Sequence, residues 1–323
     1  MKTSRALIGS LVAGLLAACG SGNPAGNAGT MGAAAPAPPS GNASAAQVAE
    51  QLRGKVKCPA KVSTARAGGA PVADIVGVSP GMTWDEAANV VLCTNELLVV
   101  EQDKSRRFNI QTYGQTIRQG FAAKFAEPRV EKTSKQIMQE MQDDFSARSS
   151  NRARQDMKPG QSKWYVSTMG VPGAERVIAA AREEWFEQGK NPTVASVEQA
   201  LIKKYGPIGK SNRSPAQVYL SWAYDPLNRR VTETSPLYHQ CTGTSDPDGS
   251  TNFSPDCGVV LVAQIFSLRD NPDLSQYLQV GFIDQANGYA AITGTEQALQ
   301  GLDAQRRARE VEAAASNANA PKL

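Results

Sequence analysis

Gly258-Val-Val-Leu-Val-Ala-Gln-Ile-Phe-Ser-Leu268, the breaker Asn271-Pro-Asp273 and Tyr277-Leu-Gln-Val-Gly-Phe-Ile283 make up the stretch that decides the fold. Two apolar, β-branched runs on either side of a turn signal predict an antiparallel pair. Upstream, Val218, Leu220, Trp222 and Tyr224 alternate with other residues as in a half-buried strand ending at Asp225-Pro226. Before that strand, Pro192-Thr193 opens a helix with Val194, Val197, Leu201 and Tyr205 on one face, stopped by Gly206-Pro207. Beyond Gly294 a polar, Ala-rich helix is predicted to about Ala315, with Leu299 and Leu302 as its large apolar contacts.

Further upstream, the pattern predicts strands at 74–78, 97–100, 108–113, 120–125 and 163–169. It predicts helices from Ser44 to Leu52, over 84–94, over 131–150 and over 173–188. The 131–150 helix carries Ile137, Met138, Met141 and Phe145 on one face. That over 173–188 rests on Val177, Ile178, Ala181 and Trp185. Helices and antiparallel strands come in segregated runs, which indicates an α+β fold of antiparallel sheets with packed helices. The soft stretch Ser149–Gln155 divides residues 47–150 from residues 151–293, with 294–323 as a C-terminal helix and tail.

Thr83-Trp-Asp-Glu86 is a capping box, in which the Thr hydroxyl and the Glu carboxylate each take an orphan backbone amide. It lies within Asp74-Ile-Val-Gly-Val-Ser-Pro-Gly81-Met82-Thr83-Trp-Asp-Glu-Ala87, which resembles the helix entry of the SmpA/OmlA outer-membrane lipoproteins and of β-lactamase-inhibitor-like folds. The resemblance implies helices followed by antiparallel strands, and it covers about fifteen residues. Those families usually continue with Leu-Gly-x-Pro, where this chain has Cys93-Thr-Asn-Glu96. The helix–Gly-Pro–strand grammar returns at Val197–Pro207 and Val218–Tyr224, so two degenerate copies of one unit are expected.

The N-terminus gives an address. Lys2 and Arg5 precede the apolar run Ala6–Ala18, too short for a permanent span and right for a secretory signal over residues 1–18. Leu16-Ala17-Ala18-Cys19 resembles the lipobox of bacterial lipoproteins. That resemblance implies a cleaved signal, a diacylglyceryl Cys19 as membrane anchor, and a cell-envelope location. Gly20 after the cysteine favours the outer membrane, with the folded part in the periplasm. Residues 19–46 follow as lipidated cysteine and tether, since 20–46 hold only small, uncharged residues, proline and a few others with nothing to bury.

Four cysteines remain: Cys58, Cys93, Cys241 and Cys257. Of three possible pairings, Cys58–Cys93 and Cys241–Cys257 keep each bridge inside one half, and no C-x-x-C motif suggests redox chemistry.

Composition narrows the function classes. The 34 Lys+Arg against 30 Asp+Glu are too balanced for a dedicated nucleic-acid binder. The single histidine, His239, lacks the company that a triad or a zinc site needs, so neither a metal nor a cofactor is predicted. Gly206-Pro-Ile-Gly-Lys210-Ser211 is too short for a phosphate loop. Asp246-Pro-Asp248-Gly249 departs from the EF-hand pattern and reads as a hairpin tip stapled by Cys241–Cys257. Arg148, Arg152 and Arg154 read as a solvated loop.

The reading is a non-catalytic envelope protein that binds another envelope protein. Trp222 and Tyr224, with Trp185 and Tyr205 nearby, offer a possible interaction surface. An inhibitor or ligand-binding module is the alternative, and a hydrolase built on paired carboxylates is the third reading.

Overall fold

A computed structural model describes residues 41–63, 69–102, 108–149 and 157–317. The predicted signal, Cys19, most of the predicted tether, Arg152 and Arg154 lie outside the described residues, as does the side chain of Arg148. Residues 41–323 form one unit. Its centre is an eight-stranded antiparallel sheet in the order β1-β2-β3-β4-β8-β7-β6-β5. The strands are β1 Leu98–Gln102, β2 Gly120–Phe125, β3 Ser162–Met169, β4 Arg176–Trp185, β5 Lys210–Arg213, β6 Gln217–Ala223, β7 Val259–Leu268 and β8 Asn271–Asp284. The helices are α1 Ala45–Arg53, α2 Trp84–Leu92, α3 Ser134–Ser149, α4 Val194–Tyr205 and α5 Gln285–Asn317.

The order is that of two four-stranded meanders joined back to back. Each is preceded by a capped helix: α2 before β1–β4 and α4 before β5–β8. The cap Thr83 bridges to Arg176 on β4, and the cap Thr193 bridges to Leu274 on β8. The separation that relates Arg176 to Leu274 also relates Arg182 to Val280, and those two residues face each other where β4 pairs with β8. A pseudo-twofold axis therefore passes through the Arg182–Val280 pair. The chain holds two copies of a helix-then-four-strands unit, with α2 and α4 on the same face. The sheet is continuous across residue 150, because β2 pairs with β3, so the soft boundary does not divide the body.

The helix face is the main core. Ala87, Val90 and Val91 of α2 and Val197, Leu201 and Tyr205 of α4 pack onto Leu98, Phe121, Trp164, Val166, Val218, Leu220, Trp222, Leu261 and Phe282. The Thr83 capping box forms as the sequence predicts, with Glu86 N donating to Thr83 Oγ1 at 3.1 Å and Thr83 N to Glu86 Oε2 at 3.0 Å. Ser44 caps α1 through the same reciprocal arrangement with Gln47.

Several expectations are corrected. Residues 173–188 form not a helix but β4, hydrogen-bonded on both sides and buried on both faces from Val177 to Ala181. Residues 74–78 are a two-residue turn: Ile75 and Val78 exchange both backbone hydrogen bonds around Val76 (φ 45°) and Gly77 (φ 90°). Residues 108–113 are not a strand; the Gln119 side chain accepts from Phe108 N at 2.8 Å and donates to Phe108 O at 3.3 Å, in place of a neighbouring strand. The tether ends before residue 46, because Ala43 pairs with Arg129 and Ala45 starts α1. Helix α5 begins at Gln285, nine residues before Gly294. Gly288 sits within it because a Cβ there would overlap the Phe253 ring.

Candidate functional site

Among the described residues, α1 packs on Val99 at the β1 edge of the second sheet face, and a loop and α5 cover one half of the rest. Both disulfides form, Cys58–Cys93 and Cys241–Cys257. The second does not staple an exposed hairpin tip. Residues 242–256 are a strap laid across the sheet, with Cys241 and Cys257 buried against Val231, Val260 and Val262. Thr244 and Ser245 lie directly over Gly281, and Asp248 pairs with Lys163 at 2.6 Å. Asp246 accepts from Asp248 N at 2.9 Å, so its carboxylate serves the strap's own turn. Beside the strap, the first part of α5 covers Phe108, Ile110, Met169 and Ile178.

The other half of that face carries three aromatic rings on neighbouring strands. Trp185 of β4 stands opposite Tyr277 of β8, and Tyr277 opposite Phe266 of β7. The rings stack, with centroids 4.7 Å apart at 4° for Trp185–Tyr277 and 4.2 Å apart at 12° for Tyr277–Phe266. All three are half-buried. Strand spacing explains the row, since directly opposed side chains on adjacent strands lie close enough to stack. Beneath it, the buried carboxylate of Glu183 accepts from Trp185 Nε1 at 2.7 Å and from Gln279 Nε2 at 2.7 Å. Lys163 Nζ approaches the same carboxylate at 3.8 Å.

The electrostatics follow from partial burial. Desolvation, reinforced by Glu183 and Asp246, pushes the Tyr277 hydroxyl up to about 12, so it remains a neutral donor. Burial pulls the Lys163 ammonium down, but its hydrogen bond to Asp248 and the charges of Glu183, Asp248 and Asp246 outweigh it and hold the group above its usual range. The result is a flat aromatic strip over a satisfied polar layer. It presents no nucleophile–base pair among the described residues.

The predicted surface is thereby corrected. Trp222 points into the helix-side core at 1% exposure, with Nε1 donating to Gly206 O at 2.9 Å and its ring 5.4 Å from Tyr205. Tyr224 is partly buried and packs against the same core. Of the aromatic residues considered, Trp185 belongs to the open row. The predicted helix at 173–188 hid that role, because a helical period separates Trp185 from its real neighbours. Tyr277 and Phe266 were legible as strand residues, but nothing local in the sequence marks which face the strap leaves uncovered.

At the opposite end of the central strands lies a cavity of about 510 Å³, walled by Ile178, Pro80, Pro226, Val259 and the first turn of α5. It brings Asp74 and Asp284 to one chamber. Both carboxylates are engaged: Asp74 with Lys204 at 2.8 Å, and Asp284 with the backbone and side-chain amides of Asn287. Burial raises the Asp284 carboxyl above its ordinary range, against the lowering effect of those Asn287 bonds. His239 is exposed with its ring edge-on to Tyr238, and Gly206–Lys210 is the predicted helix stop leading into β5. Among the described residues no group of three or more metal-ligating side chains occurs, and no helix is long and apolar enough to cross a membrane.

Comparison with protein families, with curated proteins and with solved structures finds no match to this chain.

Proposed function

We propose that this chain is a lipid-anchored cell-envelope protein, held to the membrane through a diacylglyceryl Cys19. Its folded body binds another envelope protein through the Trp185–Tyr277–Phe266 strip. The observation that carries the reading is the row itself: three stacked, half-buried rings on adjacent strands of a rigid sheet. Trp and Tyr are the residue types that supply most of the energy in protein interfaces, because they bury large area at small entropic cost. A row fixed by β pairing loses little further freedom on binding. If the partner is an enzyme, the same contact makes this chain an inhibitor.

The test is site-specific photocrosslinking in cells, with a benzophenone amino acid at Gln217, which pairs with Phe266 beside the row. The expected result is one discrete adduct that disappears when Trp185→Ala and Tyr277→Ala are combined, while folding and membrane attachment persist. An adduct indifferent to those two substitutions refutes the assignment of the surface. Cys19→Ala should move the protein from the membrane fraction to the soluble fraction; retention in the membrane refutes the anchor.

A further inference from the structure

On the helix face, the pseudo-twofold axis leaves a seam. Helix α2 packs over the first meander and α4 over the second, and at the axis stands Arg182 of β4, paired in register with Val280 of β8. A cavity of about 130 Å³ opens there, lined by Arg182, Lys204, Tyr205, Leu201, Val280 and the Val76 turn. The side chain of Arg182 is largely withdrawn from solvent at 17% exposure. Its Nη1 reaches Glu184 Oε2 at 2.7 Å and its guanidinium lies 5.4 Å from the centre of the Trp164 ring. Its Nε is buried and has no hydrogen-bond partner. Trp164, directly across from Arg182 on β3 and 1% exposed, also has a buried Nε1 without a partner.

Two neighbouring buried donors without acceptors are uncommon, since buried polar groups are nearly always paired. Of the two, Arg182 lines the cavity, and its charged Nε calls for an acceptor. Lys204 Nζ adds a second cation at the cavity, 2.8 Å from Asp74 Oδ2. The remaining walls are apolar, from Leu201, Val76, Ile75, Leu278 and Val280. Room for about four water-sized groups fits a carboxyl with two or three carbons behind it.

We infer that the seam between the two repeats is a binding site for a carboxylate carrying a short apolar tail, with Arg182 Nε as the charged donor. Lys204 Nζ, held by Asp74, borders the same cavity as a second donor. The carboxylate is either a free short-chain acid or the chain end of a bound polypeptide. The chemistry is shared, and the two sources differ in what lies beyond the tail.

The experiment follows the Arg Nε–H resonances of the ¹⁵N-labelled folded body during titration with butyrate, with butyramide and inorganic phosphate as controls. The Arg182 resonance, assigned through Arg182→Lys, is expected to shift saturably with a Kd of about 1 mM, a reasonable strength for so small a ligand. Butyramide, isosteric and neutral, should leave it unmoved. Arg182→Met, followed through the backbone amides of Leu201 and Val280 beside the cavity, should weaken butyrate binding at least about tenfold, the scale of one charge-assisted hydrogen bond. Tighter binding of a peptide ending in Ala-COO⁻ than of butyrate, lost on amidation, assigns the site to a partner's chain end; the reverse order assigns it to a free acid. An Arg182 resonance unmoved well above the expected Kd overturns the inference. So does equal binding by butyramide, by phosphate or by the Arg182→Met variant.

Discussion

Gly281→Ala tests how the strap lies on the sheet. Gly281 lies near the C-terminal end of β8, between Ala181 and Val262, with the backbone of Thr244 and Ser245 above it. A Cβ built there would lie 2.9 Å from Ser245 Cα and closer still to the Thr244 carbonyl oxygen. Ordinary contact begins about 0.5 Å farther out, and neither backbone can give alone. The sheet is held by ladders on both sides, so the strap must rise. Rising stretches the bonds that tie it down, from Gln285 Nε2 to Thr242 O at 2.6 Å and from Gln264 Nε2 to Ser245 Oγ at 2.9 Å. Overpacking of this kind costs about 1–3 kcal/mol, which for a body of this size lowers Tm by roughly 3–10 °C. The assay is calorimetric unfolding of wild type, Gly281→Ala, Cys241→Ser/Cys257→Ser and the combination. Without its disulfide the strap can rise more freely, so the two perturbations should add to less than their separate effects. A Gly281→Ala variant within about 0.5 kcal/mol of wild type refutes the close approach. Strict additivity refutes the coupling through the strap.

Two further outcomes follow from the same faces. Trp222→Ala empties a core site at 1% exposure and leaves Gly206 O without its donor, so it should destabilise by about 3–5 kcal/mol in denaturant unfolding. The half-buried Trp185→Ala should cost no more than about half of that. Asp284→Asn concerns pH. Because burial raises the Asp284 carboxyl in the folded state, the fold binds that proton more tightly than the unfolded chain does. The stability linked to it is present at low pH and declines as pH rises from the ordinary carboxylate range through the raised value. Asn still accepts the α5 amide bonds without a charge to desolvate. The variant should therefore be at least as stable as wild type at pH 7, with a flatter thermal-stability profile between about pH 4 and 7. Marked destabilisation at pH 7 refutes this.

How far the fold was legible depends on where each residue sits between the layers. Amphipathic pieces declared themselves: α2 and α4 bury one stripe each, and their caps Thr83 and Thr193 form as local chemistry requires. The β7–β8 pair was legible because two long apolar runs have few alternatives, but the turn falls at Arg269-Asp270, and the predicted breaker Asn271-Pro-Asp273 opens β8. The central strand was not. From Val177 to Ala181, β4 is buried on both faces, so it has no period of two, and its Ala-Ala-Ala-Arg-Glu-Glu run favours a helix in isolation. Tertiary pairing with β3 and β8 overrides that preference. The predicted apolar face of α3 misled in the other direction: Ile137, Met138 and Met141 are 47–69% exposed, and periodicity alone does not say what, if anything, covers a face.

The repeat explains why the chemically distinctive places lie where they do. Two meanders meeting through equivalent strands make a sheet whose halves match in topology but not in sequence, so differences collect at the axis and in the insertions. At the axis one strand carries Arg182 and its equivalent carries Val280. That asymmetry places a guanidinium in an apolar seam, where desolvation would disfavour it without the Glu184 bond and the Trp164 ring. Among the insertions, the strap of residues 242–256 belongs to the second repeat only, between β6 and β7. It hides the upper half of the sheet and leaves the row formed by Trp185, Tyr277 and Phe266 beyond its edge. One strand, β4, thus presents Arg182 to the seam on one face and Trp185 to the strip on the other. A change of register in β4 by a single residue would exchange the two faces and abolish both at once.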